Sequence, residues 1–358
     1  MSNFLTVRTA SRRAAAVMVG LGLACIGAGA QATLFTGSVY YTHFAGGNNV
    51  LRTSFSYDDV SGVVSYGAQT PITNVNGADG IIFAPNGNLI VTSNTTSNVY
   101  RINASTGALL QTLATGTPGF PDFHMALDPN NSQFYSSNRY NRTFGPLDTF
   151  TINGDGSFND ATTTPILDSA TGGLSNVTQI AFAPNGRVMY TDGVPNSNGS
   201  IGLFNFGVAN DTTTELIPAN QVPAAHGMIY DPFTGLMTMF GGGQVATIDP
   251  TQATNALIAG SLLQFDVPNI GDFDQGAVDG HGHAFIAGSG AITFIDYSIS
   301  HDITKPDRVV ITGGFGDIDD IAPLVGPGSN PNPTPEPGTL LLILLAMSGV
   351  AAARRIAR

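Results

Sequence analysis

Between residues 33 and 325 short apolar runs alternate with Gly-, Asn- and Pro-rich breaks, and one unit returns several times. The unit is an apolar strand, a Pro-Asn-Gly-like turn, a second strand, a polar turn and a third strand. Its clearest copy reads Asp79-Gly80-Ile81-Ile82-Phe83-Ala84-Pro85-Asn86-Gly87-Asn88-Leu89-Ile90-Val91-Thr92, continues through Asn98-Val99-Tyr100-Arg101-Ile102 and closes at Leu109-Leu110-Gln111-Thr112-Leu113. Related openings stand at residues 124–129, 179–186, 226–232 and 275–280. With Pro85, Pro129, Pro184, Pro232 and Gly280 taken as equivalent, the spacings are 44, 55, 48 and 48 residues, the period of a four-stranded propeller blade with some long loops.

A single small sheet leaves both faces apolar, so such units must stack about an axis to bury them. The two ends of the domain then have to meet. Residues 320–324 read as a first strand with no followers, and residues 37–42 and 49–54 as second and third strands with no first. Joined, they make one blade. The expectation is an all-β, six-bladed β-propeller over residues 33–325, closed by both termini, with seven blades if residues 130–177 hide further strands. A β-helix would need shorter, more even coils.

The flanks have a different pattern. Residues 1–13 carry Arg8, Arg12 and Arg13 without an acid, an apolar run follows to Ala30, and Ala30-Gln31-Ala32 ends it. This is the layout of a signal peptide with its helix, cut after Ala32. Its alternative is a retained membrane anchor. At the other end residues 326–334 form a Pro/Asn/Gly-rich linker. Pro335-Glu336-Pro337, an apolar segment over residues 338–353, and Arg354, Arg355 and Arg358 complete the chain. Sixteen residues at ~1.5 Å each span about 24 Å, a little under a hydrocarbon core, and snorkelling arginines make up the difference. The arginines favour the cytoplasm, which places everything before them outside.

Residues 335–358 closely resemble the PEP-CTERM sorting signal of Gram-negative bacteria, through the order Pro-Glu-Pro, short helix, arginine cluster. The resemblance implies an exosortase in the inner membrane as partner, cleavage near Pro335 to Pro337, and delivery to the cell surface or extracellular matrix, often beside exopolysaccharide. An ordinary C-terminal membrane anchor has the same topology and differs in keeping its helix. The middle of the chain resembles the NHL and SMP-30-like propellers, through blade openings of the Gly-Ile-Ile-Phe-Ala-Pro-Asn-Gly type, a likeness that speaks for architecture and not activity.

Composition narrows the partners. Only 11% of residues are charged and 44 are glycine, which suits turn-rich β structure. Six of the 13 basic residues lie in the two terminal segments, while 23 of the 25 acids are aspartate. So acidic a domain repels phosphate backbones, and nucleic acid is excluded as a partner. The only cysteine, Cys25, lies in the signal segment, so the mature fold rests on its core without a disulfide.

Residues just before each innermost strand point toward one mouth of a propeller channel. Those positions are Asp79, His124, Thr178 or Gln179, His226, Asp274 or Gln275, and Asp319 or Asp320. Two imidazoles and several carboxylates converging on one axis are candidates for a divalent metal site (His124, His226, Asp79, Asp274, Asp320) or an acid/base pair (His124, His226, Asp79). The alternative is a set of polar residues bonded to buried water and backbone. SMP-30-like lactonases use Glu, Asn and Asp for their metal, and streptogramin-lyase-like propellers use channel histidines with a glutamate. The only glutamate of the domain, Glu215, falls outside the inner strands.

His281 and His283 resemble a metal hook, but they replace the Asn-Gly turn of other units and read as turn residues on a blade edge. Residues 153–160 faintly resemble a calcium loop and read as a hairpin turn, lacking the closing glutamate. Two functions follow. One is a non-enzymatic, surface-sorted propeller that binds matrix polysaccharide or protein, with Tyr135, Tyr140 and Tyr190 as sugar-stacking candidates. The other is a metal-dependent lactonase, lyase or hydrolase using the channel cluster.

Overall fold

The computed structural model describes residues 33–328, except 44–48, 97, 115–122, 129–132, 138–143, 160–161, 169–176, 185–187, 193–199, 205–213, 219–225, 252–262 and 267–272. The signal segment, its Ala30 and Ala32, and the tail with Pro335, Glu336, Pro337, Arg354 and Arg355 lie outside the described residues, as does Tyr140. Among the described residues no helix is long and apolar enough to cross a membrane.

The described residues are almost entirely strand and turn. The chain opens with β1 (Leu34–His43), β2 (Val50–Asp58), β3 (Val64–Tyr66) and β4 (Thr70–Thr73). Four antiparallel sheets of four strands follow. They are β5 (Ala78–Phe83) to β8 (Leu109–Ala114) with β6 (Leu89–Ser93) and β7 (Asn98–Ile102), and β9 (Met125–Asp128) to β12 (Thr162–Asp168) with β10 (Gln133–Ser137) and β11 (Phe144–Thr151). Next come β13 (Val177–Phe182) to β16 (Thr214–Ile217) with β14 (Val188–Asp192) and β15 (Ser200–Phe204), and β17 (Gly227–Asp231) to β20 (Leu263–Asp266) with β18 (Leu236–Gly241) and β19 (Gln244–Ile248). The last three strands, β21 (Phe273–Val278), β22 (His283–Asp296) and β23 (Arg308–Pro327), join β1 to β4 in one seven-stranded sheet of order β21-β22-β23-β1-β2-β3, with β4 on β2.

Two long strands in that sheet each serve twice. Gly290, at φ 84°, marks a reversal within β22, because the Tyr297 N–H donates to the Gly282 carbonyl at 2.8 Å. The start of β23 pairs with the end of β22, Arg308 opposite Asp296, and its later part sits beside β1. The C-terminal strand therefore lies next to the N-terminal one, and the chain closes on itself.

Strand alternation explains the core. In β5, Ile81 packs toward Tyr40, Val50 and Ala322, while Ile82 packs toward Met125 and Phe150 of the following sheet. The same division recurs at Met239 and Phe240 in β18, which face opposite neighbours. Each apolar cluster is thus an interface between consecutive sheets, which is how a blade buries both faces. Where first strands approach each other there is no room for a side chain. A Cβ on Gly80 would lie 2.4 Å from the Phe123 carbonyl oxygen, and one on Gly227 would lie 3.0 Å from the Gln275 backbone.

The turns show a second repeat. Asp58, Asn103 and Asp231 each accept backbone N–H bonds from residues two or three further on, and glycine follows four residues later with positive φ, at Gly62, Gly107 and Gly235. The Asn/Asp-x-x-Ser/Thr-Gly pattern is a side-chain-capped turn. Residues 153–159 likewise form a hairpin turn, in which Asp155 accepts from Ser157 while its own carbonyl accepts from Asn86 and Arg101 of the preceding sheet.

By contacts the chain has two compact units. The smaller contains residues 33–35, 57–63 and 327–328 of the described chain, where Thr33 N–H donates to Asp59 at 2.8 Å. The larger, residues 36–56 and 64–326, holds the site.

Candidate functional site

Six first strands, β5, β9, β13, β17, β21 and the late part of β23, all line one central cavity. Asp79 sits at the start of β5, His124 just before β9, His226 just before β17, Asp274 at the start of β21, and Asp319 and Asp320 late in β23. Like positions on five of these six strands bring the six side chains to one mouth.

His124 lies at the centre. Its Nδ1 is 3.3 Å from the Asp320 carboxylate and its Nε2 is 3.8 Å from Asp274 Oδ1. His226 Nδ1 is 3.1 Å from the same Asp274 oxygen, and the two imidazole rings are 6.3 Å apart. All are buried except Asp274, whose side chain keeps 26% exposure and forms the solvent side.

Supporting contacts come from residues remote in sequence. Thr42 Oγ donates to the Asp79 carbonyl at 2.6 Å and accepts the Asp320 N–H at 3.0 Å, which ties β1 to both carboxylate-bearing strands. Asn94 Nδ2 donates to Asp79 Oδ2 at 2.9 Å, and Thr92 donates to the Phe123 carbonyl, fixing the residue before His124. Gln179 spans two neighbours, donating to the Met125 and Met228 carbonyls at 3.2 and 3.4 Å. Thr178 and Glu215 lie in β13 and β16, and their side chains are outside the described residues, as are those of Tyr135 and Tyr190.

The electrostatics follow from four carboxylates and two imidazoles in a space nearly closed to water. Burial lowers the proton affinity of His124, but the Asp320 carboxylate beside it, with Asp274 and Asp79 behind, overrides this and pushes its pKa up to about 9. Burial pushes Asp79 up to about 7; the His124 charge opposes and the Asp320 and Asp274 charges add to the rise. Burial also drives Asp319 well above the carboxylate range, and raises Asp320 against the pull of His124. For Asp274 burial raises, yet a hydrogen bond from Asp319, contact with His226 and the charge of His124 win and hold it well below that range. Asp319 as the acid and Asp274 as the carboxylate thus share a proton, as paired carboxyls do.

A pH dependence follows for the metal-free protein. His124 and Asp79 both have folded pKa values above their ordinary ones. The stability each contributes is present below its unfolded pKa and lost as pH rises through about 9 and about 7 respectively. Asp274, depressed, contributes above the ordinary carboxylate pKa and loses that as pH falls. The melting temperature of the metal-free chain is therefore expected to fall steadily from about pH 6 to about pH 9. A flat or rising profile in a calorimetric pH series would contradict these assignments.

The donor set fits a divalent cation. One ligand atom each from Asp79, His124 and Asp320 lie within 4.8 Å of one another. Buried Asp79 Oδ1 and Asn94 Oδ1 have no hydrogen-bond partner among the described residues, nor has His226 Nε2. Mixed imidazole and carboxylate donors suit Zn²⁺ or Mn²⁺ better than Ca²⁺.

The second histidine pair divides. His281 is exposed in the turn, whereas His283 begins β22 and is fully buried, held by Asp279 at 2.7 Å and stacked on Phe294 with ring centroids 5.3 Å apart. Turn-edge exposure holds for one and not the other: the strand starts one residue after Gly282 and carries the His283 ring inward.

No protein-family model matches the chain, and no curated protein matches its sequence. Among solved structures it is similar to a chain of the nidogen/laminin complex, with 12% identity, a TM-score of 0.56, and coverage of 81% of this chain and 98% of that one. It is also similar to a gluconolactonase from Xanthomonas campestris (12% identity, TM-score 0.48, covering 72% and 84%). A virginiamycin B lyase from Staphylococcus aureus is similar as well (12% identity, TM-score 0.43, 79% and 89%). The first of these likenesses, with the sheets described above, shows the fold, a β-propeller, and leaves its chemistry to the residues above.

Proposed function

We propose that the protein is an exported, surface-sorted hydrolase of the metal-dependent kind, a six-bladed propeller whose channel mouth holds one divalent cation and opens a small ester or lactone. The observation that carries this is the buried Asp79–His124–Asp320 cluster, with its ligand atoms within 4.8 Å and with Asp79 Oδ1 and Asn94 Oδ1 lacking a hydrogen-bond partner among the described residues. The shortage of glutamate is met by four aspartates and an asparagine. Four four-stranded sheets, with the seven-stranded one read as two blades, support a count of six.

Asp79, His124 and Asp320 would hold the cation, which when bound would polarise the substrate carbonyl. The remaining roles belong to the chain. His226 presents its Nε2 in the mouth and is placed to take a proton from water. Asp274, held as a carboxylate against its Nδ1, orients the ring and stabilises the imidazolium that forms. Burial of the mouth strengthens each of these contacts.

Delivery rests on the two ends of the chain: signal cleavage after Ala32, then exosortase processing near Pro335 to Pro337, with the cell surface or matrix as destination. Exopolysaccharide or another matrix component remains the partner that this destination supplies. The catalytic reading is tested by hydrolysis of a panel of small lactones and carboxylic esters by the full chain loaded with Zn²⁺ or Mn²⁺. Turnover is expected, with a loss of about 10²-fold or more in His226→Gln. A metal-loaded protein inert to the whole panel would contradict it.

A further inference from the structure

Below the ionisable mouth the channel changes character. A cavity of about 400 Å³ continues along the six first strands, and its wall is mainly apolar. Ile82, Phe83, Leu127, Ile229 and Val278 line it and stay only partly buried although they stand at the centre of the ring of strands. Among its described lining the polar side chains are Gln179, Gln275 and Tyr230. Gln179 and Gln275, 3% and 6% exposed, sit at the end of the cavity next to the mouth, Gln275 directly after Asp274. The two glutamines mark the border between an ionisable mouth and an apolar tube.

Such a tube is poorly suited to water, which needs two to four polar partners per molecule. It is well suited to an alkyl chain. Along β17 the lining runs from Met228 to Pro232, four residue steps or about 13 Å, the reach of an extended chain of medium length. The volume falls in the ~300–1,000 Å³ range of small-ligand sites. The head of the ligand is set by charge. In the metal-stripped mouth the Asp274 carboxylate beside His226 disfavours an anionic head, while the pair suits an uncharged carbonyl.

The geometry points to a medium-chain aliphatic ester or lactone as the ligand, with its carbonyl head at the His226–Asp274 side of the mouth and one unbranched apolar arm in the tube. The head assignment rests on the hydrolytic reading; the arm rests on the cavity alone.

The test is calorimetric binding of γ-lactones of the hexanoic, octanoic, decanoic and dodecanoic series to the metal-stripped full chain, where no turnover obscures binding. Affinity is expected to rise by about fourfold per added methylene until the tube is filled, and decanoate anion is expected to bind more weakly than the lactone of equal length. Ala126→Phe, and Val278→Phe as an independent variant, are expected to remove the chain-length dependence. Metal content of both variants, unchanged, shows that the mouth is intact. Equal affinity across the series, or undiminished dependence in both folded variants, overturns the proposal. Chain-length-dependent binding in a protein that takes up no metal would sink the hydrolytic reading and leave the tube standing; turnover of short and long lactones alike would do the reverse.

Discussion

Asp320→Ala is expected to lower the stability of the folded chain by about 3–5 kcal/mol in denaturant unfolding and to remove its metal affinity. Asp320 is fully buried, lies 3.3 Å from His124, and has its own N–H held by Thr42. Without it, His124 must either stay charged in a closed space, with the Asp274 carboxylate 3.8 Å away, or give up its proton. Either course weakens the join between β23 and β9, which lie 196 residues apart in sequence at this contact. A loss below about 1 kcal/mol would mean that the mouth is solvated like a surface ion pair, and the account of it as a closed site would fail.

Phe55→Ala is expected to cost a further large amount, about 3–5 kcal/mol, through the seam that closes the ring. Phe55 of β2 packs on Phe285 and Phe294 of β22 with ring centroids 4.9 and 5.3 Å apart, and on Tyr66 at 5.4 Å; Tyr66 in turn meets Phe315 at 5.1 Å. These rings lock the N-terminal strands onto the C-terminal ones, where no covalent link exists. Truncation leaves a cavity at the one interface that the chain order does not supply locally, so unfolding should begin there. Accelerated proteolysis within β1 to β4, compared with the wild type, is the accompanying sign; a stability change under about 1 kcal/mol would contradict a closing role for this cluster.

Much of the architecture was legible because strand and turn chemistry is local. The Ala-Pro-Asn-Gly turns located β5, β6 and β13, and the unpaired segments at residues 37–42, 49–54 and 320–324 anticipated the pairing of β23 with β1. The candidate site was legible for a related reason: Asp79, His124, His226, Asp274 and Asp320 stand at like positions of five first strands, so one rule places them all. That rule has a one-residue uncertainty, and β-bulges are its physical source. A register shift between Phe273 and Gly276 puts Asp274 at the mouth and leaves Gln275 to line the cavity.

Other features left no local trace. Thr42 and Asn94 reach the cluster from a second strand and a loop, and short polar residues of that kind are common in turns. The apolar tube was hidden because Ile82, Leu127 and Ile229 look like ordinary core residues; only the gathering of first strands about one cavity leaves space between them. His283 was misplaced because a strand boundary, not the His-x-His spacing, decides which way its ring points.

The central claim is that the channel mouth is a metal centre, and the most direct measurement is elemental mass spectrometry of the full chain after exposure to Zn²⁺ or Mn²⁺ and exhaustive dialysis. One divalent ion per chain is expected for the wild type, and none for Asp79→Asn/His124→Ala, with circular dichroism showing that the variant keeps its β structure. A wild type that retains no metal, or a folded variant that retains as much, would contradict the account.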